Sequence, residues 1–262
     1  TNTSSVTIYT LMMLYGTEFK NPQYRDKFKY KGKFRIVPLN FGKYDGQRIM
    51  DYEEVGVENK DLSFEDYLYI RVLALLVESL YNGKPFYEFF KFSKKFGIQP
   101  ASLLRILYDN ISDSSKNIQK LINEFVNETK NELWDSEENL VEYYKKDKNY
   151  LKLKNGEVGG NLIYKYKSKS LVESGLDWID YIEKQILKLV VDKQTNINSA
   201  KIIRSELSEI ASFCKLKMDG LLILNAPFIP KIKCNIKNSA SIVGLDSSSP
   251  HQNPSLYCSL NR

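Results

Sequence analysis

Histidines and closely spaced cysteines are scarce in this sequence. Its 262 residues include one histidine, His251, and three cysteines, Cys214, Cys234 and Cys258, with no CxxC pair. This spacing excludes a zinc ribbon or a cluster-binding loop within these residues. A small, odd number of cysteines is typical of proteins in a reducing compartment. A lone histidine in a Ser/Pro/Asn-rich tail does not build a Ser-His-Asp or Cys-His site. Paired acids at a recognisable spacing are also lacking, so we set a hydrolase aside.

Long apolar runs are absent as well. No stretch approaches the roughly 18–20 residues that span a bilayer, and no charged-then-apolar segment resembles a signal peptide. We therefore expect a cytoplasmic protein with no membrane partner. The 38 basic and 32 acidic residues give a net charge of +6, which is too modest to require a nucleic-acid partner. With 42% hydrophobic residues, the chain can bury the core of one large or two modest domains.

The stretch Thr10–Tyr67 organises the chain. Thr7–Leu14 is a nearly continuous apolar run, which predicts a strand buried on both faces, as in a parallel sheet. Two further strands are predicted over Phe34–Leu39 and Tyr52–Val57. Between them, Asp45-Gly46 lies too far from either strand for a tight two-residue hairpin, so a longer connection is expected.

Helices are predicted after Leu62. Ser63 and Asp66 resemble a capping box, and the aromatic residues from Phe86 to Phe92 are expected in the core. Ser112–Lys146 predicts one long helix with a kink near Trp134 and a new cap at Ser136, and Tyr150–Leu153 predicts a strand or a turn. Further helices are predicted at Asn161–Glu173, Asp177–Asp192 and Ser199–Asp219, the last with Ile203, Leu207, Ile210 and Cys214 on one side.

Five short patterns follow one another in the first part of the chain. They are Leu11–Glu18, Asn21–Arg25, Arg35–Tyr44, Glu53–Val57 and Leu62–Arg71. In order and spacing they resemble the C-terminal part of radical S-adenosylmethionine enzymes that carry a cobalamin-binding domain upstream. That family typically has an LMLLPGTE-like strand end, a TPEYR-like motif, an R-x-x-P-x-x-F/Y-G-x-Y segment, an E-EE-V-V strand and an M/L-S-F-E-D-Y-x-x-x-R helix start. The resemblance covers residues 1–100 well, residues 101–225 loosely and the tail not at all.

The resemblance implies a fold between α/β and mostly α, with the last strand or strands of a partial (β/α) barrel followed by a helical C-terminal region. Residues 1–60 would form the edge of the barrel and residues 61–225 the helical region. From about Lys231 the composition becomes rich in Ser, Asn and Pro. Residues 226–262 are therefore predicted to be a disordered tail, with a readthrough or frame-shifted end as the alternative.

Enzymes of this family bind a [4Fe-4S] cluster through a CxxxCxxC loop, cleave S-adenosylmethionine reductively and use the resulting radical on their substrate. That loop is absent from this sequence. The resemblance therefore implies a fragment. Its full-length parent would use S-adenosylmethionine, the cluster and cobalamin, whereas this chain alone would hold none of them and would be inactive. Because the chain opens with Thr1 and enters an apolar run at once, we expect a missing N-terminal half as its partner, and an unknown small molecule as substrate.

The resemblance also singles out individual residues. Leu14, Tyr15 and Gly16 would lie at the functional end of a late barrel strand, near the adenine of S-adenosylmethionine, although the family commonly has Pro where this chain has Tyr15. An ordinary strand-to-loop turn is the alternative. The fork of Arg35 suits an anionic substrate or cofactor, but pairing with Glu53 or Glu54 across adjacent strands is the interpretation that we favour.

A second function class has weaker support. In Tyr143–Lys169, eight lysines alternate with tyrosines, and such a surface on a non-catalytic helical module could bind nucleic acid or protein. The more ordinary interpretation is a solvated face whose lysines lie along the surface, which makes nucleic acid a disfavoured partner.

Overall fold

A computed structural model describes residues 5–191 and 197–222. The predicted tail, including Cys234, His251 and Cys258, lies outside the described residues, as does Asp192 at the end of one predicted helix. Helices predominate in the described ranges, and their sheet has two strands. The prediction of a mostly α fold is therefore confirmed at that level. None of the described helices is both long enough and apolar enough to cross a membrane.

The elements follow one another from α1 to α9, with both strands after α1. The helices are α1 (Pro22–Phe28), α2 (Phe64–Leu76), α3 (Tyr87–Lys95), α4 (Pro100–Asp109), α5 (Lys116–Asn131), α6 (Glu137–Lys145), α7 (Asp147–Lys154), α8 (Leu162–Val190) and α9 (Ile197–Leu222). The strands are β1 (Lys31–Tyr44) and β2 (Gln47–Glu58). Short 3₁₀ turns lie at Glu18–Lys20 and Ile111–Asp113, and a π-helical turn, Val77–Tyr81, follows α2 directly.

The described residues divide into two compact units, which we name by their content. The hairpin unit consists of Thr7–Leu75 and Leu121–Lys167. The helical unit consists of the described residues of Thr1–Val6, Leu76–Lys120 and Ser168–Arg262. Each unit therefore combines segments that are distant in sequence.

β1 and β2 form one antiparallel hairpin with a two-residue turn. Tyr44 lies opposite Gln47, so only Asp45-Gly46 connects the strands. The φ angles of these two residues are 47° and 81°, and a type I′ turn requires positive values at both positions. The expectation of a longer connection is wrong, because both strands extend well beyond the predicted Phe34–Leu39 and Tyr52–Val57.

An irregularity in the ladder lets β1 continue past Pro38. The register shifts between Ile36 and Phe41, and Leu39 adopts a φ of 64° within this bulge. The Leu39 amide donates a hydrogen bond of 3.0 Å to the carbonyl of Gly159. Because proline has no amide hydrogen, it is tolerated in a strand at an edge or a bulge. The alternation of apolar and polar residues thus predicted that the strands exist. It did not predict their length, because Pro38 suggested that β1 ends early.

Thr7–Leu14 does not form the predicted strand buried on both faces. The segment makes a single bridge to the hairpin, antiparallel, between Met12 and Val55, and two backbone hydrogen bonds of 2.8 Å to β2 flank this bridge. Among its side chains only that of Met13 is buried, at 2% exposure. The prediction failed because the apolar composition of a segment indicates that it is buried but does not say which parts of the fold cover its two faces. A parallel pair of strands is absent from the described residues.

Three predicted helix boundaries also differ. Ser112–Lys146 is two helices, because α5 ends at Asn131 and the Ser136 hydroxyl accepts the amide hydrogen of Asn139 to start α6, as its predicted cap position indicates. Tyr150–Leu153 lies within α7, so the predicted strand or turn is wrong. α8 runs without a break through the two helices predicted between residues 161 and 191.

The helical unit has the aromatic and aliphatic core expected from its sequence. Phe86, Phe89, Phe90 and Phe92 are each at most 4% exposed, and the predicted face of α9 is buried, with Ile203, Leu207, Ile210 and Cys214 between 0% and 8%. Trp178 is fully buried and donates its indole hydrogen to the Ser170 hydroxyl, 2.8 Å away. Burial and the nearby carboxylate of Glu88 raise the pKa of Cys214 well above its usual value, so this thiol is a neutral core residue.

Candidate functional site

The five sequence patterns all lie in the hairpin unit. Leu11–Glu18 borders β2, Asn21–Arg25 starts α1, Arg35–Tyr44 lies in β1, Glu53–Val57 lies in β2, and Leu62–Arg71 starts α2. Two local caps position the helices. The Asn21 side chain accepts the amide hydrogen of Gln23 at 2.9 Å ahead of Pro22, and Ser63 and Asp66 form the predicted capping box.

Glu54 is the buried carboxylate that joins the second and fourth patterns. Its side chain is 4% exposed. Lys20 Nζ lies 2.5 Å from one carboxylate oxygen, and Arg25 donates to both oxygens at 2.7 and 3.2 Å. Burial by itself would raise the pKa of Glu54, but the hydrogen bonds and charges of Arg25 and Lys20 outweigh it and lower that pKa. Glu54 is therefore ionised at neutral pH and anchors α1 to β2.

The lowered pKa gives a pH-dependent prediction. A carboxylate whose pKa is lower in the folded than in the unfolded chain stabilises the fold at any pH above its pKa in the unfolded chain. This contribution is lost as the pH falls through its pKa in the folded chain. We expect Glu54→Gln to be less stable than the unmodified protein at pH 7. The difference should shrink steadily below about pH 4.5, as the glutamates titrate.

Urea unfolding at pH 7, 5 and 3.5 would measure this difference. Glu65→Gln is a suitable control, because Glu65 is an exposed residue of α2. A difference between the Glu54 variant and the unmodified protein that stayed constant over this pH range would contradict the ion pairing described above.

A second cluster of charges joins β1, β2 and the end of α5 to α2. The Arg35 Nε donates to Glu53 at 2.7 Å and one terminal nitrogen donates to Glu132 at 3.1 Å. Arg71 NH2 lies 3.8 Å from the same Glu132 carboxylate, and its guanidinium carbon lies 5.7 Å from the centre of the Phe125 ring. The side chains of both arginines are nearly buried, at 13% and 11% exposure.

The electrostatics of this cluster follow from its burial. Burial opposes ionisation of Arg35, but the carboxylates of Glu132 and Glu53 outweigh it and raise the pKa of Arg35. For Glu132, burial is the larger influence and raises the pKa, although Arg35 and Arg71 oppose it. Burial lowers the pKa of Arg71. Both arginines stay charged near neutral pH, and Glu132 is the acid of this buried network whose pKa is shifted.

Next to this network lies a cavity of about 180 Å³. Its lining is mainly apolar and comes from the start of the chain, β2 and α2: Ile8, Tyr9, Thr10, Leu11, Tyr30, Gly56, Glu58, Asn59, Leu62, Tyr67, Ile70, Arg71 and Ala74. Tyr67 and Arg71 line the cavity, and Arg71 also belongs to the charged network. The Tyr67 hydroxyl and the Arg71 Nε are buried and have no hydrogen-bond partner among the described atoms. Because both atoms are themselves buried, they are not open to the space of the cavity, and a small molecule there would contact its apolar wall.

The residues predicted to contact S-adenosylmethionine lie outside this cavity. Leu14, Tyr15 and Gly16 form an exposed turn, in which the Leu14 carbonyl accepts the Thr17 amide hydrogen at 3.3 Å. Tyr15 is 81% exposed, and Lys20 Nζ lies 4.3 Å from the centre of its ring. Gly16 has a φ of 81°, as a turn residue in the left-handed region does.

Arg35 takes part in the pairing favoured from the sequence. Its partner across the strands is Glu53, and Glu132 is a second partner that no pattern indicated. The guanidinium is thus occupied by two carboxylates. Its role as a substrate-binding residue stays a prediction, and it would require one of these partners to move.

The lysine and tyrosine surface between residues 143 and 169 has few exposed rings. Tyr144 and Tyr166 are buried, and Tyr143 packs against Trp134 with ring centres 4.8 Å apart. Tyr150 contacts Phe41 and lies beneath the Arg48 guanidinium, so only Tyr164, at 61% exposure, is largely open to solvent. Stacking of successive bases requires several accessible rings. The arrangement of these side chains therefore favours the interpretation of a solvated face.

The family that the five patterns resemble uses an iron–sulfur cluster as a cofactor. A [4Fe-4S] cluster is held by cysteine thiolates, and the described part of the chain has a single cysteine, Cys214, which is buried and neutral. Within that same part, no group of three His, Cys, Asp or Glu side chains could hold a metal ion. These residues do not fit the cluster. Comparison with known proteins does not assign a family, since no family model and no curated protein matches the chain.

Sequence reasoning missed three members of the site. Tyr67 and Arg71 lie within the Leu62–Arg71 pattern. Their i, i+4 spacing places them on one face of α2, and this spacing is a sequence signal that could have identified them as neighbours. Glu132 follows α5 directly, 97 residues from Arg35, and its sequence neighbourhood carries no signal for a contact with β1.

Proposed function

We propose that this chain is the C-terminal part of a radical S-adenosylmethionine enzyme with a cobalamin-binding domain. In this proposal the chain lacks the half that binds the iron–sulfur cluster and is inactive by itself. One observation supports the proposal most: the five patterns that resemble this family in order also contact one another. The first is bonded to β2 through its backbone, ion pairs of Glu54 and Arg35 join the second, third and fourth, and Glu132 links Arg71 of the fifth to Arg35. Chance similarity of five unrelated short stretches gives no reason for them to share contacts.

The proposal gives the exposed start of the hairpin unit a role. Thr7–Leu14 makes a single bridge to β2 in this chain, and it would become a late strand of a partial (β/α) barrel only when joined to the absent half, with Leu14, Tyr15 and Gly16 near the adenine of S-adenosylmethionine. Its side chains are suited to being covered, since Ile8, Leu11 and Leu14 are 39%, 37% and 53% exposed. The chemistry supplied by the absent half would be reductive cleavage of S-adenosylmethionine. This chain would contribute the wall made by β1, β2 and α2.

The coding sequence upstream of Thr1 is the first measurement to make. We expect it to encode, in frame, a CxxxCxxC loop preceded by a cobalamin-binding domain. The joined protein, reconstituted with iron and sulfide without oxygen, should then form 5′-deoxyadenosine from S-adenosylmethionine, whereas this chain alone should not. A start codon immediately upstream, with no cluster loop, would overturn the proposal. Salt-dependent binding of this chain to single-stranded oligonucleotides would then favour the helical binding module.

A further inference from the structure

We propose that Thr7–Leu14, which we call the edge segment, pairs with the edge segment of a second copy of this chain. The two segments would form adjacent antiparallel strands, with Met12 of each copy at the two-fold axis. This inference does not rest on the radical enzyme proposed above, in which the absent half of the protein would cover the same edge.

The hydrogen bonds between the edge segment and β2 leave the backbone of Met12 directed outward. The Met13 amide donates to the Glu54 carbonyl and the Gly56 amide donates to the Leu11 carbonyl, both at 2.8 Å. These two bonds flank the bridge between Met12 and β2. In an antiparallel ladder, a residue flanked in this way directs its own amide and carbonyl groups to the outer side. No backbone group of the described residues bonds to these two groups, so an added strand can do so.

The edge segment lacks the features by which natural edge strands avoid pairing. It contains no charged residue and no proline, although lysine and proline commonly protect such edges. β1, on the opposite edge of the sheet, contains both, since it has Pro38 and three lysines. It is also covered where Phe34 exchanges two backbone hydrogen bonds with Trp134. The edge segment is therefore the side of this sheet that is suited to receive a further strand.

The side chains of the edge segment are complementary to those of a second copy. With Met12 on the axis, Tyr9 lies opposite Tyr15 of the second copy, the residue that follows its edge segment. These two tyrosines are 85% and 81% exposed in the single chain, and aromatic residues that face each other on adjacent strands stabilise the pair. Leu11 lies opposite Met13 in the same register. Because the segment is uncharged, two copies bring no like charges together.

The symmetry of this pairing limits the assembly to two chains. A two-fold axis at Met12 uses the edge segments of both copies at once, so the assembly closes as a dimer. Each Met12 amide would donate to the Met12 carbonyl of the other copy, as in a hydrogen-bonded antiparallel pair. One pair of short strands buries less surface than the roughly 1,600 Å² of a standard stable interface. We therefore expect a dimer that dissociates on dilution.

Amide hydrogen exchange on the full, unmodified chain tests the pairing directly. Exchange is followed by NMR at protein concentrations of about 10 and about 500 µM, and analytical ultracentrifugation over the same range measures the dimer. We expect the Met12 amide to exchange at least about threefold more slowly at the higher concentration, because it is bonded only in the dimer. The Met13 amide is the internal control. It is bonded to Glu54 in the single chain, so its exchange should depend little on concentration.

Substitutions of Met12 test the position of the axis. Met12→Lys brings two like charges together at the axis, and Met12→Glu does so with the opposite sign. We expect each variant alone to be a monomer over the whole concentration range, and an equimolar mixture of the two to form dimers again. Met12 is 46% exposed, so the Tm of the monomer should change little. Leu39→Lys is the control, because Leu39 is an apolar residue away from the edge segment with 75% exposure, and this variant should still form the dimer.

Four results would overturn the proposal. They are a chain that stays monomeric at every concentration, exchange of the Met12 amide that does not depend on concentration, a dimer that persists in Met12→Lys, and a mixture of the two Met12 variants that does not associate. A chain that is monomeric alone and associates only with a separately produced upstream half would assign the edge segment to that half. The upstream coding sequence and the formation of 5′-deoxyadenosine do not depend on this dimer, so the two proposals can fail separately.

Discussion

Replacing Arg35 by methionine should lower the free energy of unfolding of the hairpin unit by about 3–5 kcal/mol, the usual range when one partner of a buried ion pair is removed. The change leaves the carboxylates of Glu53 and Glu132 next to each other without the guanidinium that donates to both. Arg71, at 3.8 Å from Glu132, would be the only nearby positive charge of the network. Native-state hydrogen exchange on peptides from β1 and β2 measures this loss separately from the helical unit.

The control is Lys33→Met on the same strand. Lys33 pairs with Asp135, which is 86% exposed, and exposed pairs contribute at most about 1 kcal/mol. The pH provides a second check. Burial already raises the pKa of Glu132, and removal of Arg35 would raise it further, so acidification should restore part of the lost stability as the acids take up protons. Equal losses for the two variants would mean that the Arg35 network contributes no more than a surface pair.

Local sequence signals predicted local structure well. The Ser63 and Asp66 capping box, the proline at the start of α4, and the cap at Ser136 involve residues within four positions of one another, and the structure has all three. The buried face of α9 likewise follows from a period of 3.6 residues. Such signals need no knowledge of the tertiary fold.

Non-local features were predicted less well. The apolar run Thr7–Leu14 indicated a buried strand, but composition does not say which neighbour a segment meets, and the neighbour is one antiparallel edge of β2. Pro38 suggested an early strand end, whereas a bulge carries β1 to Tyr44. The partnership of Arg35 with Glu53 could be predicted because the two residues lie on adjacent strands. Its partnership with Glu132 could not, because it depends on where α5 ends.

Gly32→Ala should destabilise the hairpin unit by about 2–3 kcal/mol, because the added methyl group and the Glu54 side chain require the same space. A Cβ at this position would lie 2.0 Å from Glu54 Oε1 and 2.7 Å from its Cγ. The carboxylate must therefore move, and moving it breaks its contacts with Lys20 and Arg25 and leaves a nearly buried charge without partners. Urea unfolding at pH 7 measures the loss. Gly160→Ala is the control, since a Cβ there meets nothing within 4 Å.

A double-mutant cycle with Glu54→Ala separates this cause from an effect of alanine on the strand itself. If the cost of Gly32→Ala arises from displacing the carboxylate, it should nearly disappear once Glu54 is alanine, because the occupied space is then empty. An unchanged cost in the Glu54→Ala background would place the strain in the backbone of β1 instead. The close approach of Gly32 to Glu54 would then have no part in holding α1 to β2. Nearly complete relief would mean that this glycine is required by the ion pair that joins the second and fourth sequence patterns.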